Sequence, residues 1–314
     1  MLPPEDLYEL TDEAPEIVRT GRDDVVRPVL VHAMDGFVDA GNAGTLAAQH
    51  LLIERNAREV VRFDADQLMD YRSRRPRMTF RTDRFTDVAA HEIVVYALTD
   101  AEGRLFYLLS GPEPDLQWER FSAAVRQLVE HLGVRLVVGI HAIPWAAPHT
   151  RPVGLTPHAS DRELISGRPR WLGELEVPGH AGALLELRLG QAGHPTVGFT
   201  AHVPHYLSTA EYPPAAVALL EALADTAGLA LPTTRLRDAG VVVLEQIDAQ
   251  VQTSPETLEA VRGLERSYDA AADGRALAGP GLLAPTLPDD EMPGGDELAA
   301  ELQEYLRSVD DEKT

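Results

Sequence analysis

Short runs of β-branched and other apolar residues recur along the first two-thirds of the chain, and each run predicts a buried β-strand. These runs cover residues 28–34, 60–63, 92–98, 105–109, 135–141, 183–189 and 196–203. The runs at 29–31 and 136–138 are apolar at every position. Both faces of those two strands should therefore be covered, as in a central strand with helices on either side.

Between the strands, apolar residues recur at the 3.6-residue spacing of an amphipathic helix. Helices are predicted over residues 39–56, 118–132, 213–228 and 233–272. Strands that are separated by helices run parallel, whereas the short connection between 92–98 and 105–109 allows a hairpin. The pattern therefore predicts a three-layer α/β fold with a mostly parallel or mixed sheet and a helical C-terminal extension.

The same pattern divides the chain into segments. Residues 1–24 are predicted to be an acidic, loosely held N-terminal lead-in segment. Residues 25–232 are predicted to form the α/β domain, and residues 233–272 are predicted to form a helical subdomain. Residues 273–295 are rich in Gly, Pro and Asp, which indicates a linker. Residues 296–314 predict a short helix followed by an acidic tail.

Composition and charge exclude several classes of function. The 314 residues include 28 basic and 50 acidic side chains, a formal net charge of −22. Such a charge repels phosphodiester backbones and anionic lipid, so neither nucleic acid nor a membrane is an expected partner. The absence of cysteine excludes disulfides, thiolate catalysis and cysteine-based zinc sites.

The start of the chain and the lysine content indicate the location of the protein and exclude two kinds of cofactor site. The acidic start lacks the basic and apolar regions of a signal peptide, and no apolar stretch is long enough to span a bilayer. A cytoplasmic protein is therefore expected. Lys313 is the single lysine and lies in the acidic tail, so neither a pyridoxal phosphate Schiff base nor a P-loop is expected.

The first candidate functional segment, 34–44, follows the first predicted strand and opens a helix. Its glycines do not follow the dinucleotide fingerprint, so no dinucleotide cofactor is expected. Asp39 is predicted to cap the helix, in a tight turn that the glycines permit. Alternatively, Asp35 and Asp39 could border a cleft, where two acids suit a sugar hydroxyl, an amine or a metal better than a phosphate.

The second segment, 144–153, is a proline-rich loop after the fifth predicted strand, and it carries Trp145, His149 and Arg151. Arg151 could hold a carboxylate or a phosphate through two parallel hydrogen bonds. The alternative is a structural role, in which Arg151 bonds loop carbonyls or pairs with an acid at a subunit contact.

The third segment, 201–207, follows the last predicted strand and carries His202, His205 and Tyr206. A histidine here could act as a general base or a metal ligand, or it could be satisfied by loop hydrogen bonds. The sequence Val203-Pro204 favours extended backbone, in which side chains three residues apart point to opposite faces. We therefore expect neither a structural metal nor a tightly held cofactor.

Each segment directly follows a predicted strand, and parallel strands bring such loops to one end of a sheet. The residues predicted to border this candidate cleft are Asp35, Asp39, Trp145, His149, Arg151, His202, His205 and Tyr206.

These segments also resemble a known family. The stretch at 35–41, the loop at 148–152, and the stretch at 198–207 followed by 212–216 are similar, in order and spacing, to the proteasome assembly chaperone 2 family in its actinobacterial branch. The resemblance implies a phosphorylase/hydrolase-like α/β fold, akin to purine nucleoside phosphorylases, with an added helical C-terminal part. The eukaryotic relatives help to assemble proteasome α-rings, and the family brings no established catalytic residues.

Two functions fit these observations. The favoured interpretation is a non-enzymatic, assembly-factor-like protein with protein partners, of which proteasome subunits are one candidate. The alternative is a small-ligand binder or a nucleoside phosphorylase/hydrolase-like enzyme that uses the cleft at the strand C-terminal ends. A homo-oligomer is also expected, with residues 236–268 at or near the interface unless the two helices of that region cover each other as a hairpin.

Overall fold

The computed structural model of the chain describes residues 2–23, 26–54, 56–168 and 174–273. The predicted linker beyond residue 273 and the predicted final helix lie outside the described residues.

Ten strands and eight α-helices make up the described part of the chain. The strands are β1 (Tyr8–Leu10), β2 (Val29–Asp35), β3 (Arg58–Phe63), β4 (Met78–Arg81), β5 (Arg84–Val88), β6 (Val94–Thr99), β7 (Leu105–Pro112), β8 (Leu136–Trp145), β9 (Leu155–Ala159) and β10 (Thr196–Pro204). The helices are α1 (Ala14–Asp23), α2 (Ala43–Glu54), α3 (Ala65–Leu68), α4 (Trp118–His131), α5 (Ala181–Gln191), α6 (Pro213–Ala227), α7 (Thr234–Thr253) and α8 (Pro255–Asp273).

Eight strands form one mixed sheet in the order β1-β3-β6-β7-β2-β8-β10-β9, while β4 and β5 form a separate hairpin. Strands β7, β2, β8 and β10 run parallel to one another, and the outer pairings are antiparallel. Strands β2, β8 and β10 are neighbours near the centre of this sheet. The antiparallel pairing of β6 with β7 confirms the predicted hairpin between them.

Helices cover both faces of the sheet, as the strand pattern predicts. Val29 and Val31 of β2 point into a core formed with α2 and α6, whereas Leu30 between them points into a second core formed with α4 and α5. Helices α7 and α8 extend the first core, into which they insert buried side chains such as Ile247 and Val261. The three-layer fold is therefore confirmed.

One predicted strand is wrong. Residues 183–189 lie within α5, where Leu185 and Leu189 are buried and Leu187 is exposed. Burial of residues four apart follows the helical period, and the segment contains no β-branched residue that would favour a strand. Alanine and leucine are strong helix formers, so the apolar run at this place indicates a helix.

The N-terminal segment is also better ordered than predicted. Residues 2–23 form β1 and α1, and β1 pairs with β3 at the edge of the sheet. Leu7 and Ile17 are buried in the second core, and the Arg120 guanidinium donates a hydrogen bond to the Pro3 carbonyl at 2.8 Å. The described part of this segment is packed against the sheet and is not a loose lead-in.

Leu7→Ala should destabilise the whole domain. Leu7 has no exposed surface, and deleting a fully buried leucine leaves a cavity that typically costs about 2–5 kcal/mol. We expect a loss of this order in the free energy of unfolding measured with urea. Leu2→Ala is the matched control, because Leu2 is 64% exposed, and it should leave the midpoint nearly unchanged. Equal midpoints for the two variants would contradict the packed arrangement.

Candidate functional site

The three candidate loops meet at the C-terminal ends of the parallel strands. The Gly41 amide donates to the Ser208 carbonyl at 2.7 Å, and the Tyr212 amide donates to the Gly41 carbonyl at 2.9 Å. Gly41 has φ +65°, and an added Cβ there would lie 2.9 Å from the Tyr212 Cβ. The His202 amide, in turn, donates to the Gly154 carbonyl at 2.9 Å. The loops after β2, β8 and β10 therefore form one region.

Asp39 holds the first turn of α2. Its carboxylate accepts hydrogen bonds from the Gly44 amide at 2.6 Å and from the Thr45 hydroxyl at 2.6 Å. Burial raises the pKa of Asp39, while these hydrogen bonds oppose the rise. Asp35 is exposed at the end of β2, where its carbonyl accepts hydrogen bonds from the Glu113 amide and from Arg74. The geometry gives Asp39 the predicted capping role.

His149 and Tyr206 connect the loops to α7. His149 Nε2 lies 3.0 Å from Asp248 Oδ1, and its Nδ1 lies 2.7 Å from the Tyr206 hydroxyl. Since an ionised carboxylate only accepts, Nε2 of the neutral ring carries the proton, and the Tyr206 hydroxyl donates to Nδ1. That hydroxyl also accepts the His149 amide at 2.9 Å. Burial raises the pKa of Tyr206.

Arg151 connects the same loop to α8. Its guanidinium donates two hydrogen bonds to the Asp269 carboxylate, at 2.8 and 2.7 Å, and lies 3.3 Å from Glu265 Oε1. The Asp269 carboxylate raises the pKa of Arg151, and Arg151 lowers the pKa of Asp269. The two parallel hydrogen bonds that a ligand carboxylate would need are made to an acid of this chain.

His202 stacks on Trp145, with ring centroids 4.1 Å apart and ring planes 10° from parallel. Its Nε2 lies 2.8 Å from the Thr156 hydroxyl. Burial lowers the pKa of His202 to about 4, because the desolvated imidazolium is disfavoured. Burial also lowers the pKa of His205, whose ring contacts Tyr206. Neither histidine belongs to the one metal-compatible group found among the described residues.

The structure brings part of the candidate cleft together. His149 and Arg151 join the loop after β8 to α7 and α8, and His149 also contacts Tyr206. Trp145 and His202 contact each other, whereas Asp39 bonds to the start of α2 and Asp35 to Glu113 and Arg74. A role for them in ligand binding stays a prediction.

His202→Phe should weaken the acid sensitivity of the protein. A histidine whose pKa falls from 6.5 to about 4 on folding stabilises the native state above pH 6.5, and this contribution is lost as the pH falls towards 4. The difference corresponds to roughly 3 kcal/mol at most. Phenylalanine keeps the stacking on Trp145 but cannot titrate.

We expect the stability of the wild type relative to His202→Phe to fall between pH 6.5 and 4, as measured by urea unfolding at each pH. Parallel pH profiles for the two proteins would show that burial does not perturb His202.

A second polar cluster lies against the sheet itself, and none of the sequence patterns described above predicts it. We call it the histidine–glutamate cluster, and its members are His32 of β2, His141 of β8, His158 of β9, His180 before α5, and Glu186 of α5. Glu186 Oε1 lies 3.1 Å from His32 Nε2 and 3.0 Å from His141 Nε2, and Glu186 Oε2 lies 2.6 Å from His158 Nε2. The Nε2 atoms of three imidazoles thus converge on one buried carboxylate.

Strand register places the cluster over two glycines. His32, Gly139, Gly198 and His158 occupy one row across β2, β8, β10 and β9. An added Cβ at Gly139 would lie 2.0 Å from Glu186 Oε1, and one at Gly198 would lie 2.0 Å from His158 Nε2. Glycine at both positions leaves the room that the cluster occupies.

The cluster is electrostatically coupled. Burial would raise the pKa of Glu186, but His158 and the other two imidazoles hold it well below its usual range. Burial works to lower the pKa of His158, and Glu186 outweighs it, so that the pKa rises. Burial lowers the pKa of His141, and it lowers that of His180 to about 4.

A signal for this cluster exists in the sequence. His32 lies within the first predicted strand and His141 ends the fifth, and the runs 29–31 and 136–138 of these strands are apolar on both faces. A titratable side chain in a central strand requires a buried partner. That partner, Glu186, lies in the segment predicted as a strand, so the alternation of side chains could not show that it reaches the histidines.

The fold and the loop junction define a three-layer α/β protein whose helical C-terminal part is joined to the ends of the parallel strands. Residues 33–251 match the model of the PAC2 family, and the chain belongs to this family. The family predicted from the three loop segments is thereby confirmed.

Solved structures share this fold over most of the chain. A Mycobacterium tuberculosis protein of unknown function, Rv2714, is 50% identical with a TM-score of 0.81, and the match covers 86% of this chain and 91% of that one. A Corynebacterium glutamicum protein of unknown function is 35% identical with a TM-score of 0.80, covering 86% and 99%. The M. tuberculosis proteasome-assembly chaperone homologue Rv2125 is 26% identical with a TM-score of 0.69, covering 74% and 99%. No curated protein matches the chain.

Proposed function

We propose that the chain is a non-enzymatic, assembly-factor-like protein of the cytoplasm, and that the β4–β5 hairpin is the element with which it binds a protein partner. Membership of the PAC2 family supports a chaperone-like role, as does the similarity to a proteasome-assembly chaperone homologue. Among the described helices, none has the length and apolar character needed to cross a bilayer.

The observation that carries the proposal is an apolar surface on this hairpin. Phe80 and Phe85 are paired across the two strands and contact edge to face, with centroids 5.1 Å apart, yet they are 59% and 64% exposed. Met78 and Val88 form the next apolar pair and are also exposed. Exposed apolar side chains that are contiguous in this way mark interaction surfaces.

The charge around this surface indicates what kind of surface the partner presents. Residues 72–84 include six arginines and one aspartate, a formal charge of +5 in a chain whose net charge is −22. Arg74 pairs with Asp115, but the other five arginines form no ion pair within the described part of the chain. Aromatic and arginine side chains are the residues enriched at the energetic centres of interfaces. The partner therefore presents an apolar recess within an acidic surface.

A double substitution in the hairpin should abolish partner binding. We expect Phe80→Ser with Phe85→Ser to lose binding to purified proteasome α-subunits from the same organism, measured by biolayer interferometry at several salt concentrations. The loss should be at least about 30-fold, since two interface aromatics commonly contribute more than about 2 kcal/mol. The matched control is Val241→Ser with Val242→Ser, which removes an exposed apolar pair of α7 instead.

Sedimentation of the same variants tests a second copy of the chain as the partner. A dimer that dissociates only with the hairpin variant would make the partner a second copy, and one that dissociates only with the α7 variant would place the homo-oligomer interface near residues 236–268. A wild type that is monomeric and does not bind α-subunits would contradict the proposal. Binding of a single-stranded oligonucleotide to the hairpin would assign this surface to nucleic acid instead.

A further inference from the structure

We propose that His32, His141 and Glu186 bind a divalent transition-metal ion, and that this ion is zinc. The site goes beyond the proposed function, because it lies within the main sheet and does not involve the β4–β5 hairpin. Its three ligand atoms come from β2, β8 and α5, and all of them lie within 4.8 Å of one another.

The distances fit a shared ion. Ligands about 2.0–2.2 Å from a tetrahedral zinc are separated by roughly 3.3–3.6 Å from one another. The separations of 3.1 and 3.0 Å between Glu186 Oε1 and the two imidazole nitrogens are close to that value. A small outward shift of the carboxylate would open the space between the three atoms.

Gly139 leaves room for an ion between these three atoms, because it has no side chain. An added Cβ at Gly139 would lie 2.0 Å from Glu186 Oε1, 2.6 Å from His32 Nε2 and 2.8 Å from His141 Nε2. The three ligand atoms therefore converge above one backbone position that carries no side chain. Any residue other than glycine at position 139 would fill the place where they meet.

The ligand types select the metal. Two imidazoles and one carboxylate form a known ligand set of catalytic zinc sites, with a fourth position left for water. Magnesium and calcium prefer oxygen ligands alone, so neither fits a site with two nitrogen ligands.

His158 is a positioning residue. Its Nε2 lies 2.6 Å from Glu186 Oε2, so it holds the second carboxylate oxygen while Oε1 faces the two ligand imidazoles. Such partners orient metal ligands, and their loss typically weakens metal affinity about 10–100-fold. The side chain of His158 is 43% exposed, which places the access of water and metal on its side of the cluster.

Zinc binding to the protein tests this assignment. The full chain is purified without a histidine tag, stripped with a chelator and dialysed, and it is then titrated with zinc chloride in a calorimeter. Bound zinc is counted by mass spectrometry after gel filtration. We expect one equivalent in the wild type, and zinc K-edge absorption should show only nitrogen and oxygen ligands, with histidine scattering.

Variants separate the site from adventitious binding. Glu186→Gln and His141→Asn should lose zinc, whereas His158→Asn should retain one equivalent with about 10–100-fold weaker affinity. His202→Phe is the control, because it removes a partly buried histidine of the neighbouring strand that lies outside the cluster. The His158 side chain is partly exposed, so His158→Asn should fold even where a substitution of a buried ligand prevents folding.

A wild type that retains no zinc after gel filtration would overturn the proposal, as would a folded Glu186→Gln variant that binds zinc like the wild type. Neither result would affect the assignment of the hairpin as the partner-binding element, since zinc binding and partner binding are measured separately.

Discussion

Burial of both faces of β2, β8 and β10 is the constraint on which the rest of the structure depends. These strands are parallel neighbours, and helices cover them on each side. Parallel strands bring their C-terminal loops to one end of the sheet, where the junction with α7 and α8 forms. Burial also places polar side chains of these strands out of contact with water, so each needs a partner within the protein. The loop junction and the histidine–glutamate cluster are thus consequences of the same arrangement.

Much of this fold can be predicted from the sequence, because two-sided apolar runs have few other uses. The strands β2 and β8 carry branched apolar residues at successive positions, which is typical of a covered sheet. The sequence does not predict β1 and β9, because they pair with β3 and β10, which are distant in the chain. It does not predict β4 and β5 either, because all their side chains are exposed and show no buried face. The segment of α5 is assigned wrongly because its leucines make an apolar run whose period is clear only once Leu187 is seen to be exposed.

The candidate site, like the fold, can be predicted from the sequence only in part. Loops that follow parallel strands can be expected to meet, and the loops carrying Asp39, His149 and His202 do meet. Their contacts with Asp248 and Asp269 could not be predicted, because those acids lie on helices about 100 residues further along the chain. The row of His32, Gly139, Gly198 and His158 likewise exists only through the register of four strands. Register is a tertiary property, and no local pattern determines it.

The edges of the main sheet limit the kind of complex that the protein can form. One edge is β1, which has only three residues, and the other is β9, whose Pro157 lacks an amide hydrogen. Short strands and prolines at an edge prevent another chain from extending the sheet by backbone pairing. Association through the main sheet must then rely on the shape and charge of side chains and not on backbone pairing. A protein whose main sheet has such edges can contact other proteins without that sheet starting open-ended β-aggregation.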